Sequence, residues 1–383
     1  MGSASLFPLR GQRLVRCQKR KLTLESNVGP VEIQADYGQE SGGGDWICPQ
    51  RRTWNIGPHQ KMTPALQDRL CFTITMTGSY QNAAQVACKW GCAVDDSKLH
   101  ALAQRVGAKA EEQTQERIKA PAQEREPQRK ASELGVLLVD GWLVRHRGPG
   151  WGAKKTEENR VEWHEMKMGV YYRIEQALVK ENGRAELADK AVVSTLAGAV
   201  ELGQRLNWEA MRAGLGRARQ LEMLADGSEW IWNLKNNRWK EAVEVLDFYH
   251  GGEHVWGLGR ALKGETQARD WVEPLLHQLR HGKEKKALRQ IAGLLPGGGE
   301  RGKIVRREQG YFAHNTHRMK YKELADRGWP IGSGAVKSAC RQRQCRFKGP
   351  GQFWTAKGLR NLCALEEARH NHHWDDLWET PKS

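Results

Sequence analysis

Two apolar runs in this chain break off in the same way, LGVLLVDG at Asp140 and QLEMLADG at Asp226. Continuous apolar runs this short read as strands buried on both faces. A strand covered on both faces needs helices above and below it, so the pair points to an α/β core. VEWHEMKMGVYYRIEQ adds a strand after a Gly-rich, basic turn, VEVLDF adds another, and about 196–213, LAGAVELGQRLNWEAMRA, reads as a helix between them.

A carboxylate at the end of a buried strand is partly desolvated and calls for a counter-ion, for which a divalent metal is effective. Two such carboxylates meeting at one sheet edge suit Mg²⁺, the hard ion of phosphoryl transfer. Asp-Gly also makes the turn after a strand, so the dipeptide by itself admits both readings.

Charge narrows the class of partner. A formal net charge of +16 and a pI near 9.5 favour a polyanion, since Lys and Arg that neutralise phosphates release counterions. The 383 residues, 39% hydrophobic, suffice for two or three domains. No run of 18 apolar residues occurs, and MGSASLFPLRGQRLVRC lacks the pattern of a signal peptide. The expectation is a cytoplasmic, nucleoid-associated protein with no membrane partner. The eight cysteines include no CxxC pair, which favours reduced thiols over a disulfide framework; Cys88 with Cys92 and Cys340 with Cys345 are the nearest spacings for a metal.

Residues 1–60 read as irregular, with a pair of short strands in LTLESNVGPVEIQADYG. From Thr63, a cap ahead of Pro64, three short helical segments follow to Gly107. The Gly91 turn between the second and third fits a helix-turn-helix, with 97–106 entering the groove and Lys98 and Arg105 as DNA contacts; an ordinary helical bundle fits as well. Residues 108–133 form a charged linker, broken at Pro121 and Pro127. The core then runs over 134–248, is interrupted by a helical insertion over 249–310, and resumes over 311–383 as a helix with a basic face.

That basic face comes from Ala335 to Arg360, with seven basic residues and no acid. Lys337, Arg341 and Lys348 fall near one helical side. With Arg343 and Arg346 they are candidate DNA contacts, and Phe347, Phe353 and Trp354 are candidates to stack on unpaired bases, although aromatics there also suit a core. Trp142, Trp163, Trp230 and Trp232 lie on or beside strands and are expected in the core. HGGEH, with His250, Glu253 and His254, matches the H-x-x-E-H pattern of inverted zinc proteases, yet Gly251 and Gly252 weaken a helix there.

The blocks VDG, EWHEMKMG, ADGSEWIWNL, VLDFYHGGEHVWGLG and HRMKYKELADRGWPIGSGAVKSACR, in this order from Leu134 to Trp378, resemble the DDE transposases of bacterial insertion sequences, nearest the Kra-type group. The resemblance implies an RNase H-like mixed sheet with a helical insertion behind an N-terminal, mainly helical DNA-binding region. It implies double-stranded DNA as partner, element ends and target alike, and work as a homo-oligomer on DNA. Its chemistry is Mg²⁺- or Mn²⁺-dependent strand cleavage and transfer, with Asp140 and Asp226 as first and second metal-binding acids.

The third acid of that pattern is a glutamate, and Lys337 stands in its place. Its ammonium reverses the charge and is expected to pair with Asp140 or Asp226, impairing the metal site. Glu323 or Asp326 could substitute; Glu366 and Glu367 are too far along an unbroken helix, roughly 44 Å from Lys337. Three readings stay open: an impaired transposase, a DNA-binding protein without catalysis, and, remotely, a zinc metalloprotease at HGGEH.

Overall fold

The computed structural model describes residues 14–40, 45–125, 131–152, 160–179 and 185–379. Its contacts divide the chain into two units, 1–113 with 357–383, and 114–356. The chain thus returns to its first unit after 356, which a division into consecutive segments does not capture.

The first unit opens with β1 (Leu14–Ser26) and β2 (Gly29–Glu40), an antiparallel hairpin joined at Gly29, whose φ of +100° only glycine adopts readily. These strands are much longer than the short pair expected inside residues 1–60. Alternation along them buries Leu22, Leu24 and Ala35 against Cys48 and Ile56. The two-residue β3 (Trp46–Ile47) pairs with β2, and the short α1 (Pro49–Thr53) follows.

α2 (Pro64–Met76) begins as its sequence dictates: the Thr63 hydroxyl accepts the Leu66 N–H at 3.4 Å, with Pro64 at the first position. α3 (Tyr80–Lys89) is capped by Ser79 and turns at Gly91 into α4 (Asp96–Arg117), where Asp95 accepts the Lys98 N–H at 2.7 Å. α4 runs well past 97–106. Its buried stripe, Leu99, Leu102, Ala103, Val106, Gly107 and Ala110, has helical spacing and meets the C-terminal helix near Asn361, whose amide donates to the Gln104 carbonyl at 3.1 Å.

The second unit is built on a mixed sheet. β4 (Ser132–Arg147) and β5 (Val161–Arg173) form a long antiparallel pair; β6 (Ala177–Val179) and β7 (Ala185–Leu187) make a separate small ribbon; β8 (Ala191–Thr195) pairs antiparallel with β5. α5 (Ala199–Arg212) then crosses to β9 (Ala218–Ala225), and α6 (Glu229–Arg238) leads to β10 (Val243–Leu246). The order is β10-β9-β4-β5-β8, with β4, β9 and β10 parallel. Leu137 and Val139 pack on Leu202 and Leu206 of α5, which explains why the first apolar run is continuous: one parity of β4 meets α5 and the other meets a helix on the opposite side.

After β10 come α7 (Phe248–Lys263), α8 (Ala268–Arg280), α9 (Glu284–Ala292), α10 (Gly299–Asn315) and α11 (Tyr321–Asp326), sharing a core of Leu246, Val255, Leu258, Val272, Phe312 and Tyr321. α7 continues through Gly251 and Gly252, because burial against Tyr321 and Leu276 outweighs their poor propensity. α12 (Gly334–Phe347) covers β4 and β5 on the side away from α5. It ends at Lys348, ahead of Pro350 and Gly351, and α13 (Ala356–His370) is a separate helix. The unbroken basic helix expected over this region is therefore two helices, because proline cannot continue the first.

Candidate active site

Strand register decides the first question about the acids. Val139 pairs with Ala225, and Ala225 with Leu246, so the next residue on each of three adjacent parallel strands is an aspartate: Asp140, Asp226 and Asp247. Neighbouring strands lie about 4.8 Å apart, so the three backbones stand in a row at one sheet edge. The Asp247 N–H donates to the Ala225 carbonyl at 2.8 Å, which holds the third member in line. Asp247 was not weighed from sequence; its signal was the same as that of the others, an apolar strand, VEVL, stopping on Asp.

The three carboxylates have different surroundings. Asp140 accepts the Gly141 N–H at 2.7 Å, and Asp226 accepts the Ser228 N–H at 2.8 Å. Burial raises the Asp140 pKa, the Asp226 charge raises it further, and Lys337 and His250 act in the opposite sense. Asp247 is 1% exposed; its carboxylate caps α7 through the Tyr249 N–H at 3.1 Å and accepts the Ser333 hydroxyl at 2.6 Å and the Lys337 ammonium at 2.6 Å. Burial pushes Asp247 up, but the Lys337 and Ser333 bonds together outweigh it and hold its carboxyl below the usual range.

Lys337 therefore pairs with Asp247, not with Asp140 or Asp226 as expected. The reason is local: the Ile331 carbonyl accepts the Phe248 N–H at 2.9 Å, which lays the turn ahead of α12 directly on the start of α7. Gly332 lets the turn approach closely there, since a Cβ on it would lie 2.6 Å from the Tyr249 ring. Asp326 is engaged by Lys322, and Glu323 is exposed on α11.

A wall of rings closes the row of acids. Tyr311 lies over the turn after Asp226, where a Cβ on Gly227 would come within 2.5 Å of the ring, and it stacks on His254 at 3.7 Å. The buried Glu308 sits 2.5 Å from Nδ1 of His254, whose Nε2 faces Nε2 of His250 at 3.3 Å. A carboxylate only accepts, so His254 carries its proton on Nδ1. His250 and His254 are thus spent on each other and on Glu308. Among the described residues no group of three or more His, Cys, Asp or Glu is arranged to hold a metal ion, which leaves the protease reading of HGGEH without a third ligand.

The basic residues part ways. Arg341 is exposed and Lys348 half-buried, but Arg343 and Arg346 are buried, as is Phe347. The basic face of α12 is thereby reduced to Lys337, Arg341 and, at its C-terminal end, Lys348. Lys98 is exposed and paired with Asp95 at 3.0 Å; Arg105 is exposed too and donates to Gln67 at 2.6 Å. Trp142 and Trp232 are in the core as expected, Trp230 is half-buried, and Trp163 is exposed.

Asp140 offers a direct test of this electrostatic arrangement. A carboxyl with a raised pKa in the fold costs stability once ionised, so Asp140→Asn should raise the melting temperature at pH 7. The advantage should shrink as pH falls through the elevated Asp140 range, where the native acid becomes neutral. Thermal melts of both proteins from pH 7 to 4 measure it, and a variant less stable than the parent throughout would show that the crowding of charge is illusory.

No family model matches this chain, and no curated protein matches it. Among solved structures, a chain of the Drosophila P element transposase strand transfer complex is similar at 10% identity, over 82% of this chain and 79% of that chain, with a TM-score of 0.28.

Proposed function

We propose that this protein is a DNA-binding relative of the DDE transposases of insertion sequences, with a catalytic centre impaired by Lys337. The observation that carries the reading is the row of Asp140, Asp226 and Asp247 at one edge of parallel strands, with a lysine from α12 reaching into it. The strand order β10-β9-β4-β5-β8, three strands antiparallel and two added in parallel, suits an RNase H-like core. In this reading 61–107 is the helix-turn-helix-like DNA-binding domain and 249–310 the insertion. The protein works in the cytoplasm at the nucleoid, as a homo-oligomer on duplex DNA.

Asp140 and Asp226 would hold Mg²⁺ or Mn²⁺, since hard carboxylate oxygens side by side in a partly buried setting suit such an ion. When bound, the ion activates the attacking oxygen and stabilises the leaving one at a phosphodiester. What the chain's own residues do is separable from that. The Asp140 and Asp226 carboxylates are held by the Gly141 and Ser228 N–H groups; Asp247 is withdrawn from the site by Lys337 and Ser333. Tyr311 and His254 exclude water from one side, and Arg341 and Lys348 present positive charge to phosphate. The same arrangement suits a DNA-binding protein without catalysis, differing only in whether cleavage persists.

The experiment is strand cleavage on cognate element ends with Mg²⁺ or Mn²⁺, for the parent protein and for Lys337→Glu. Cleavage by the variant alone supports an impaired centre, and equal cleavage by both refutes it. Duplex binding should weaken steeply with salt, and Arg341→Gln should reduce the slope of log K against log[salt] by about 1 if that residue touches phosphate. An unchanged slope would remove Arg341 from the interface.

A further inference from the structure

We propose that the ribbon formed by β4 beyond Asp140 and β5 before Lys167 binds unpaired single-stranded DNA, stacking bases on Trp163, Trp151 and Phe353. β9 follows β4 only to Val139, and β8 meets β5 only from Lys167 onward. The pairs from Gly141 with Lys167 to Arg147 with Val161 therefore extend past the sheet as two strands. A two-stranded ribbon is marginal in water unless something packs on it.

One side is accounted for. Trp142, Val144 and His146 are buried; Trp142 stacks on Phe347 at 6.4 Å, and Trp354 bonds along the edge, its carbonyl accepting the Arg147 N–H at 2.9 Å. The other side is not. Leu143 is 50% exposed, Trp163, opposite Arg145 in register, is 55% exposed, and Trp151 is 37% exposed. Exposed tryptophans gathered in one place mark an interaction surface.

The chemistry of that surface is specific. Every ring has a cation beside it: Lys348 at 5.8 Å from Trp163, Arg147 and Arg160 at 5.3 and 5.6 Å from Trp151, and Arg145 at 4.9 Å from Phe353. Trp151 and Phe353 lie 4.8 Å apart. Among the described residues none of these four cations has a carboxylate partner, whereas the ribbon's own acids, Glu162 and Glu165, are taken by His164 and Lys167. Flat rings flanked by unmatched positive charge suit bases with their phosphates, not an apolar protein face. Duplex DNA keeps its base faces hidden inside the stack, so the rings select an unpaired strand.

The choice of DNA over RNA rests on the function proposed above. Asp140 is the residue from which the ribbon departs, and Leu143 to Arg147 lie roughly 10–24 Å farther along β4 at about 3.4 Å per residue. A strand lying on the ribbon would lead toward the row of acids.

The test is fluorescence anisotropy with labelled oligo-dT, oligo-rU and a DNA duplex of equal length, using the full chain, Trp163→Ala and Trp163→Phe. Trp163 is exposed, so both variants should melt with the parent. Trp163→Ala should weaken oligo-dT binding about 5- to 100-fold, Trp163→Phe should retain most of it, and duplex binding should not change. Unchanged oligo-dT binding in Trp163→Ala, or equal loss on duplex, overturns the proposal; oligo-rU bound as tightly as oligo-dT overturns its assignment to DNA. Loss on oligo-dT in a protein that neither binds nor cuts element ends would sink the transposase reading and leave the stacking surface standing.

Discussion

Lys337→Glu is expected to melt about 5–10 °C below the parent in the presence of a chelator, and to recover most of that loss when Mg²⁺ is added. The parent, by contrast, should respond weakly to Mg²⁺. The ground is the ion pair at 2.6 Å between Lys337 and a carboxylate that is 1% exposed. Breaking a buried pair by removing one partner costs several kcal/mol; the ammonium is 41% exposed and partly screened, which lowers the figure to about 2–3 kcal/mol. The glutamate adds a fourth negative charge beside Asp247, Asp226 and Asp140, a density that a divalent ion relieves. Because ions bound only to the native state stabilise it by mass action, the melt reports ion binding at the substituted site without needing catalysis.

The pH limits of this pair follow from the shifts of both partners. The Asp247 pKa is held down, so its contribution is present above the ordinary aspartate value, about 3.9, and is lost as pH falls through the lowered one. The Lys337 pKa moves the other way: burial depresses it, but Asp247 outweighs burial and raises it. Its contribution is present below the ordinary lysine value and lost only as pH rises through the elevated one. A melting temperature for Lys337→Glu that equals the parent's without metal, and ignores Mg²⁺, would show that the lysine carries no structural charge.

Gly107→Ala should destabilise the first unit more than any other single methyl addition in it. A Cβ at Gly107 would stand 2.1 Å from the backbone oxygen of Asn361 and 2.6 Å from its carbonyl carbon. Backbone cannot swing aside as a side chain can, so α4 and α13 must separate. Their separation also stretches the Asn361 amide bonds to the Gln104 carbonyl and side chain, now 3.1 and 3.0 Å. Overpacking of this kind costs about 1–3 kcal/mol, and the loss of the two hydrogen bonds puts this case at the upper end. Chemical denaturation of the two proteins measures it; equal midpoints would mean that the two helices do not meet so closely.

Several features of the site were legible because they depend on neighbours in sequence. Apolar runs ending on Asp mark where the parallel pairing of β4 with β9 stops, although β4 itself continues past Asp140 to Arg147, and Thr63 with Pro64 announces the start of α2. Asp247 carries the same mark at the end of VEVL, yet a four-residue apolar run ahead of a helix is too short a signal to single it out. The burial of Arg343 and Arg346 was not legible. Both lie in a segment whose basic residues look uniformly solvated, and only the tertiary fold turns these two inward. Trp163 erred in the opposite direction: strand tryptophans usually find a core, but β5 outruns its neighbour β8, and the overhang leaves the ring in water.

By itself, the amino-acid order marked the start of α2, put an aspartate after each of two apolar runs, and set a cation, Lys337, in the first turn of a later helix. Only the tertiary structure decided which acid that cation meets. Local propensities act over a few residues, whereas the pairing of Lys337 with Asp247 depends on the turn before α12 docking against the start of α7. That contact is set by packing across the whole second unit, and no short stretch of sequence contains it.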